Sequence, residues 1–399
     1  MDASEAATPP KRLCLRWPPP QREYLPIDLL LEVVARSDDV GTIIRCAAAS
    51  KPLRRAMLGA GFRPRSRVGL LAAVHAGYDP ASLLGVSYAS SPSDDDDDIV
   101  RASWRLRFDT RLLRSFELVS SRGGLLVLYR HEAESQPELR VCNTFTGDMA
   151  CLPYMDEEDG KWGNAGIYRP ALLTVDEDDA GRSFELLVMD GCLRTCVFSS
   201  NSSKDGKWGS IRRVKAPPEH SSWCFVNQSM NTSPAIVGRT VYWICCRARR
   251  GIAARVFVLA VDADATQATA IAPPPQGYHG SIGSCTLATT PEGKLCMLVP
   301  EAEVISMWTR SAEEGWSRDV VISKQGISRQ VWSAMDARRM VCWCVGMKSR
   351  SVLFWVERVG LIELDLETMK ADVLRGGGEH GATGVAGVCF HEIDMASLL

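Results

Sequence analysis

The spacing of apolar positions changes character along this chain. Between Tyr24 and Arg65 they recur three and four residues apart: Leu29, Leu30, Val33 and Val34, then Val40, Ile43, Ile44, Ala47 and Ala48, then Leu53, Ala56, Met57 and Ala60. That is the spacing of a helix with one apolar face, and it predicts three short helices. The punctuation agrees. Pro26 suits a first turn, Asp28 suits the positive end of the helix dipole, Asp38 or Asp39 can cap the second helix, and Ser50 can cap the third with Pro52 in its first turn. A bundle of about 40 residues stands near the lower limit for independent stability. One with this many apolar side chains completes its core by burying some of them against a partner.

Beyond Ile99 the period shortens to that of strands. Runs such as 125–130, 184–190, 240–246, 255–262, 294–299, 340–346 and 352–357 are apolar, rich in β-branched and aromatic residues, and separated by turn residues. The region contains no long amphipathic helical pattern, so an all-β architecture is expected in place of alternating βαβ units. Gly160-Lys161-Trp162-Gly163 recurs as Gly206-Lys207-Trp208-Gly209, 46 residues on by subtraction, Gly315-Trp316 echoes it, and Trp243 and Trp343 lie 100 apart. A period of roughly 40 to 50 residues is that of a β-propeller blade. The region then holds about six or seven blades, with a large β-sandwich as the alternative.

Outside these two regions the patterning is weak. Residues 1–22 carry five prolines and no periodicity, which marks a disordered arm. Residues 66–98 form a linker whose acidic run, Asp94 to Asp98, is a solvated loop. The expected division is therefore an arm over 1–22, a helical unit over 23–65, a linker over 66–98 and a β-domain over 99–399.

Composition narrows the function classes. Of 399 residues, 46% are hydrophobic and 24% charged, near the averages for a folded protein. A net charge of -2 gives no long-range field for phosphate backbones or anionic lipid, so neither nucleic acid nor membrane is an expected partner. The first residues lack a secretory apolar core and no 18 apolar residues run together, so a cytoplasmic or nuclear location is expected. In that setting the fourteen cysteines read as reduced, mostly buried thiols, since no CxxC pair offers a zinc site. The glycan-type motifs at Asn201, Asn227 and Asn231 are discounted on the same ground.

The segment Leu25-Pro26-Ile27-Asp28-Leu29-Leu30-Leu31-Glu32-Val33-Val34-Ala35-Arg36, followed by Ile43-Ile44-Arg45-Cys46-Ala47-Ala48-Ala49-Ser50-Lys51-Pro52-Leu53-Arg54-Arg55, resembles the F-box, with Leu53 where that family usually has tryptophan. The resemblance implies that the helices clasp a Skp-type adaptor, which links F-box proteins to a cullin and a ubiquitin-transferring subunit. Leu25, Pro26, Leu29, Leu30, Val33, Ile43, Ile44 and Leu53 are the candidate contacts, each of which could equally belong to the core of the helical unit. The β-domain is similar to the propeller-like domains that follow many plant F-boxes. Val141-Cys142-Asn143-Thr144-Phe145-Thr146-Gly147 with Leu152-Pro153, the run Ser233 to Trp243, and Leu361 to Thr368 carry that likeness. It implies a subunit that selects an unidentified target for a Skp-cullin-F-box ubiquitin ligase. A propeller scaffold outside any ligase is the alternative.

Catalytic patterns are sparse. The six histidines, His75, His131, His220, His279, His380 and His391, show no i, i+4 pair, and neither HExxH nor GxSxG occurs. The carboxylates at 156–159 and 176–179 lie in turn-like composition, and Gly376-Gly377-Gly378 follows no nucleotide-binding strand pattern. A non-catalytic protein with no cofactor and no metal is expected.

Overall fold

A computed structural model describes residues 25–36, 45–47, 49–57, 67–73, 87–88, 112, 115–130, 138–143, 147–153, 168–178, 181–202, 206–217, 224–225, 234–249, 252–275, 285–290, 292–311, 313, 315–331, 340–346, 351–356, 359–376 and 388–392. It contains a small helical unit and a β-propeller. All of the predicted strand runs are strands. The arm over 1–22 and the acidic run Asp94 to Asp98 lie outside the described residues.

In the helical unit, Ile27–Ala35 and Lys51–Met57 are helices and residues 45–47 are helical between them. Pro26 is the N-cap of the first, just ahead of the first turn where Asp28 sits. The helix Lys51–Met57, the third of the sequence reading, starts as the sequence suggests: the Leu53 amide donates to Ser50 Oγ at 3.4 Å and the Arg54 amide to the Ser50 carbonyl at 2.9 Å. Val34, Ala47, Leu53 and Met57 make its core, with Leu30, Leu31 and Cys46 packed around them.

Two strands follow the helical unit, β1 (Arg67–Ala73) and β2 (Ser87–Tyr88), so the stretch expected as a linker supplies strand backbone. Blade 1 is β3 (Glu117–Arg122), β4 (Leu125–Arg130), β5 (Glu138–Asn143) and β6 (Met149–Cys151). Blade 2 is β7 (Arg169–Asp178), β8 (Gly181–Met189) and β9 (Arg194–Ser199), its outer position shared by β10 (Lys207–Trp208) and β11 (Arg212–Arg213). In blade 3 the inner position is shared by β12 (Cys224–Phe225) and β13 (Ala235–Val237), followed by β14 (Thr240–Arg249), β15 (Ile252–Asp262) and β16 (Thr269–Ile271). Blade 4 is β17 (Thr286–Thr289), β18 (Leu295–Pro300), β19 (Val304–Ser311) and β20 (Gly315–Ser323). Blade 5 is β21 (Met340–Gly346), β22 (Ser351–Val356), β23 (Gly360–Asp365) and β24 (Ala371–Gly376). The last strand, β25 (Val388–Glu392), pairs with β1 in a three-stranded sheet of order β2-β1-β25.

Among the described residues the result is a propeller of five blades, each four strands across, with the three-stranded sheet β2-β1-β25 beside blades 5 and 1, where the sequence suggested about six or seven blades or a sandwich. A sandwich would pair two sheets face to face. Here each sheet meets two neighbours in turn, and the hydrophobic clusters fall in the seams. One cluster joins blades 1 and 2, a second blades 2 and 3, a third blades 3 and 4, a fourth blades 4 and 5. On β8, Leu186 and Val188 enter the first seam while Leu187 and Met189 enter the second. Successive strand side chains point to opposite faces, so a strand buried on both faces must be apolar throughout. That is why the central strands read as unbroken apolar runs.

Three local readings change. Asp176–Asp178, expected in a solvated turn, extend β7 and pair with residues 181–183 of β8, because the hairpin continues to its tip. A helix, Lys324–Val331, follows β20, where Gly326 and several polar residues had hidden it. The 100-residue spacing of the two tryptophans is not a repeat: Trp243 lies on the second strand of blade 3 and Trp343 on the first strand of blade 5.

Candidate docking surface

The first helix presents two different faces. Val34 turns inward with the core. Leu25, Leu29 and Val33, four residues apart, are 61%, 50% and 67% exposed. Leu29 and Val33 stack on one side of the helix, and Leu25 stands just ahead of its N-cap, so this segment holds apolar side chains in water. An exposed apolar patch on a unit this small is a surface suited to burial against another protein. Glu32 and Arg36, three residues after Leu29 and Val33 respectively, pair at 2.5 Å beside them.

The candidate contacts separate accordingly. Leu25, Pro26, Leu29 and Val33 are at the surface, and Leu30 is half-buried against the core. Leu53 is only 5% exposed and packs with Val34 and Met57, so it supports the surface from inside and does not belong to it. Ile43 and Ile44 lie outside the described residues. Ile27, 38% exposed, was not among the candidates and shares the helix face of Leu30, Leu31 and Val34.

The propeller carries polar clasps between blades. Trp208, on the outer strand of blade 2, donates its indole N–H to the Pro153 carbonyl just past the outer strand of blade 1, at 2.7 Å. Trp316, on the outer strand of blade 4, donates to the Ala272 carbonyl just past the outer strand of blade 3, at 2.8 Å. Of the tryptophans in the repeat noticed in the sequence, Trp208 and Trp316 are therefore clasps, and Trp162 lies outside the described residues. Arg122, at the end of β3, donates to the Leu172 and Leu173 carbonyls at the bulge in β7. Arg239 joins Glu185 of blade 2 and Asp264 of blade 3, and its hydrogen bonds hold the Asp264 carboxyl below the usual carboxylate range.

Potential chemistry is confined to scattered groups. Glu363 on β23 is 4% exposed, and its Oε1 has no hydrogen-bond partner. Burial, with help from Asp372 and Asp365, pushes its carboxyl up to about 8. Burial likewise pushes the thiols of Cys142 and Cys296 up to about 12 and that of Cys196 to about 11. Among the described residues no group of three or more His, Cys, Asp or Glu side chains is placed to hold a metal ion, and none of the described helices is long and apolar enough to cross a membrane.

These features define a β-propeller protein with polar clasps between its blades. Residues 85–399 match the model of a family described as a domain of unknown function, DUF7595, and the chain belongs to that family. No curated protein matches it. Among solved structures the chain is similar to puromycin hydrolase, with 12% identity and a TM-score of 0.39 over 65% of this chain and 39% of that one. It is also similar to TolB from Acinetobacter baumannii, with 8% identity and a TM-score of 0.33 over 67% of this chain and 54% of that one. The chain thus spans well under two thirds of the length of either.

Proposed function

We propose that this protein is a target-recruiting subunit of a Skp-cullin-F-box ubiquitin ligase, in which the helical unit docks on a Skp-type adaptor and the propeller holds a protein target. The observation that carries the reading is the exposed Leu25, Leu29 and Val33 patch within a segment whose sequence resembles the F-box. The propeller supports it as a rigid frame with long connections between strands, the places where recognition usually resides. The chain would act by proximity: tethering a target beside the transfer machinery raises its effective concentration, while the bond-making occurs in another subunit.

The test is co-purification of the full chain with a Skp-type adaptor, comparing wild type with a Leu29→Ala, Val33→Ala double variant. These side chains are exposed, so the variant keeps its fold. A central apolar anchor costs about 2 kcal/mol or more when truncated, so the double variant should lose the adaptor. A folded wild type that does not bind would leave the second reading, a propeller scaffold outside any ligase. Leu53 gives that reading its specific support, since it is turned into the core where the F-box family carries a larger tryptophan.

A further inference from the structure

We infer that Cys224 and Cys246 are a redox pair: oxidised by hydrogen peroxide, they join in a disulfide that fastens the short strand β12 to β14 in blade 3. The inference goes beyond the adaptor reading and does not depend on it.

The backbone register carries it. β12 runs antiparallel to β14, with Cys224 directly opposite Cys246 and Phe225 opposite Cys245. Directly opposed residues of an antiparallel pair lie about 4.5 or about 5.5 Å apart at Cα, depending on whether they exchange hydrogen bonds. Both spacings fall within the range of about 4.4–6.8 Å that a disulfide spans. Among the described strand registers no other cysteine stands opposite a cysteine. Cys142 opposes Met149 while Cys151 opposes Arg140, and such diagonal neighbours sit about 7–8 Å apart, too far for a bridge.

The two adjacent thiols of β14 differ in setting. Cys245 is wholly buried in the seam between blades 2 and 3. Cys246 is half-buried on the other face, against the seam between blades 3 and 4. β12 is held at two residue pairs, and a strand so short opens locally at little cost. The rest of the inner position, β13, pairs separately with Thr240, Val241 and Tyr242, so β12 can open without unzipping it. Opening gives the oxidant access to Cys246 while Cys245 keeps its seam. One thiolate then attacks a peroxide oxygen, forming a sulfenic acid and, with its proton, water. The second thiol attacks that sulfur, closing the S–S bond and expelling a second water. Two thiols and one hydrogen peroxide become one disulfide and two waters, and a dithiol reductant reverses the bond by exchange.

The test exposes the dilute full-length protein to hydrogen peroxide, caps remaining thiols with N-ethylmaleimide and maps disulfides by tandem mass spectrometry without reduction. A link between Cys224 and Cys246 should form ahead of any other and vanish on addition of dithiothreitol. It should survive Cys245→Ala and be lost in Cys246→Ala. In the linked protein, amide exchange at Cys224 and Phe225 should slow by about tenfold or more, leaving the Leu295–Pro300 strand of blade 4 unchanged. Absence of the link, Cys224 joined equally to Cys245, or unchanged exchange at Phe225 would overturn the inference. Should Cys245→Ala fail to fold, fragment ions broken between Cys245 and Cys246 in the wild-type peptide assign the bond directly.

Discussion

The indole of Trp208 donates to the carbonyl of Pro153 across a blade boundary, 2.7 Å from N to O and 55 residues back in the chain. Trp316 repeats the arrangement with Ala272 two blades further on, 108 residues from Trp208 by subtraction. Each Trp→Phe substitution keeps an aromatic ring and removes the donor along with part of the ring's volume. Each should lower stability by about 1 kcal/mol, and because the two sites share no partners the costs should add. Denaturant unfolding with an unchanged slope would show this, and a double variant costing no more than either single would argue against independent clasps.

Leu186 and Leu187 are neighbours on β8 that are buried in different seams. Leucine on a half-buried strand would alternate between costly and harmless positions. Here Leu186→Ala and Leu187→Ala should each cost about 2–5 kcal/mol. Val321→Ala, on the exposed side of β20, should stay within about 0.5 kcal/mol of wild type. Thermal midpoints of the three variants suffice for the comparison.

Glu363 makes stability depend on pH in the unusual direction for a carboxylate. Its ordinary value of 4.5 is raised to about 8 by burial, first, and then by Asp372 and Asp365. Between those values the folded chain keeps a proton that the unfolded chain has released. The contribution of the neutral carboxyl is complete below 4.5 and is lost as pH rises through 8. Glu363→Gln should flatten the fall in melting temperature from pH 6 to pH 9. An unchanged slope would mean that the carboxyl does not titrate in that window.

Burial should also sort the cysteines. Cys142, Cys196 and Cys296, with thiols pushed above the ordinary 9.0, should resist alkylation at pH 8, whereas the exposed Cys151 and Cys192 should label promptly. Mass spectrometry of the native protein after brief iodoacetamide treatment gives the order directly. Rapid labelling of Cys296 would mean that the seam between blades 4 and 5 opens.

Local pattern carried much of this architecture. Apolar runs such as Leu125 to Tyr129 specify strands buried on both faces, and the spacing of Leu29, Val33 and Val34 specifies a helix, because side-chain period follows directly from backbone geometry. Gly147 and Gly238, both at positive φ, fall in two of the runs that carried the likeness to the propeller-like domains. The number of blades was not legible in the same way. It depends on where strands pair, and connections of uneven length, with split strands in blades 2 and 3, blur the repeat.

The candidate site divides along the same line. That Leu25 to Val33 belong to a helix with surplus apolar residues was determined by the sequence itself. Which of them face water and which, like Leu53, face inward was decided only when the second helix packed on the first, since a residue's exposure depends on its neighbours in space. The roles of Trp208 as a clasp, Glu363 as a buried acid and Arg67–Ala73 as a closing strand also belong to tertiary structure alone. Each depends on a partner between about 10 and 320 residues away in the chain, and loop closure over the longer of these distances leaves no periodic trace in local sequence.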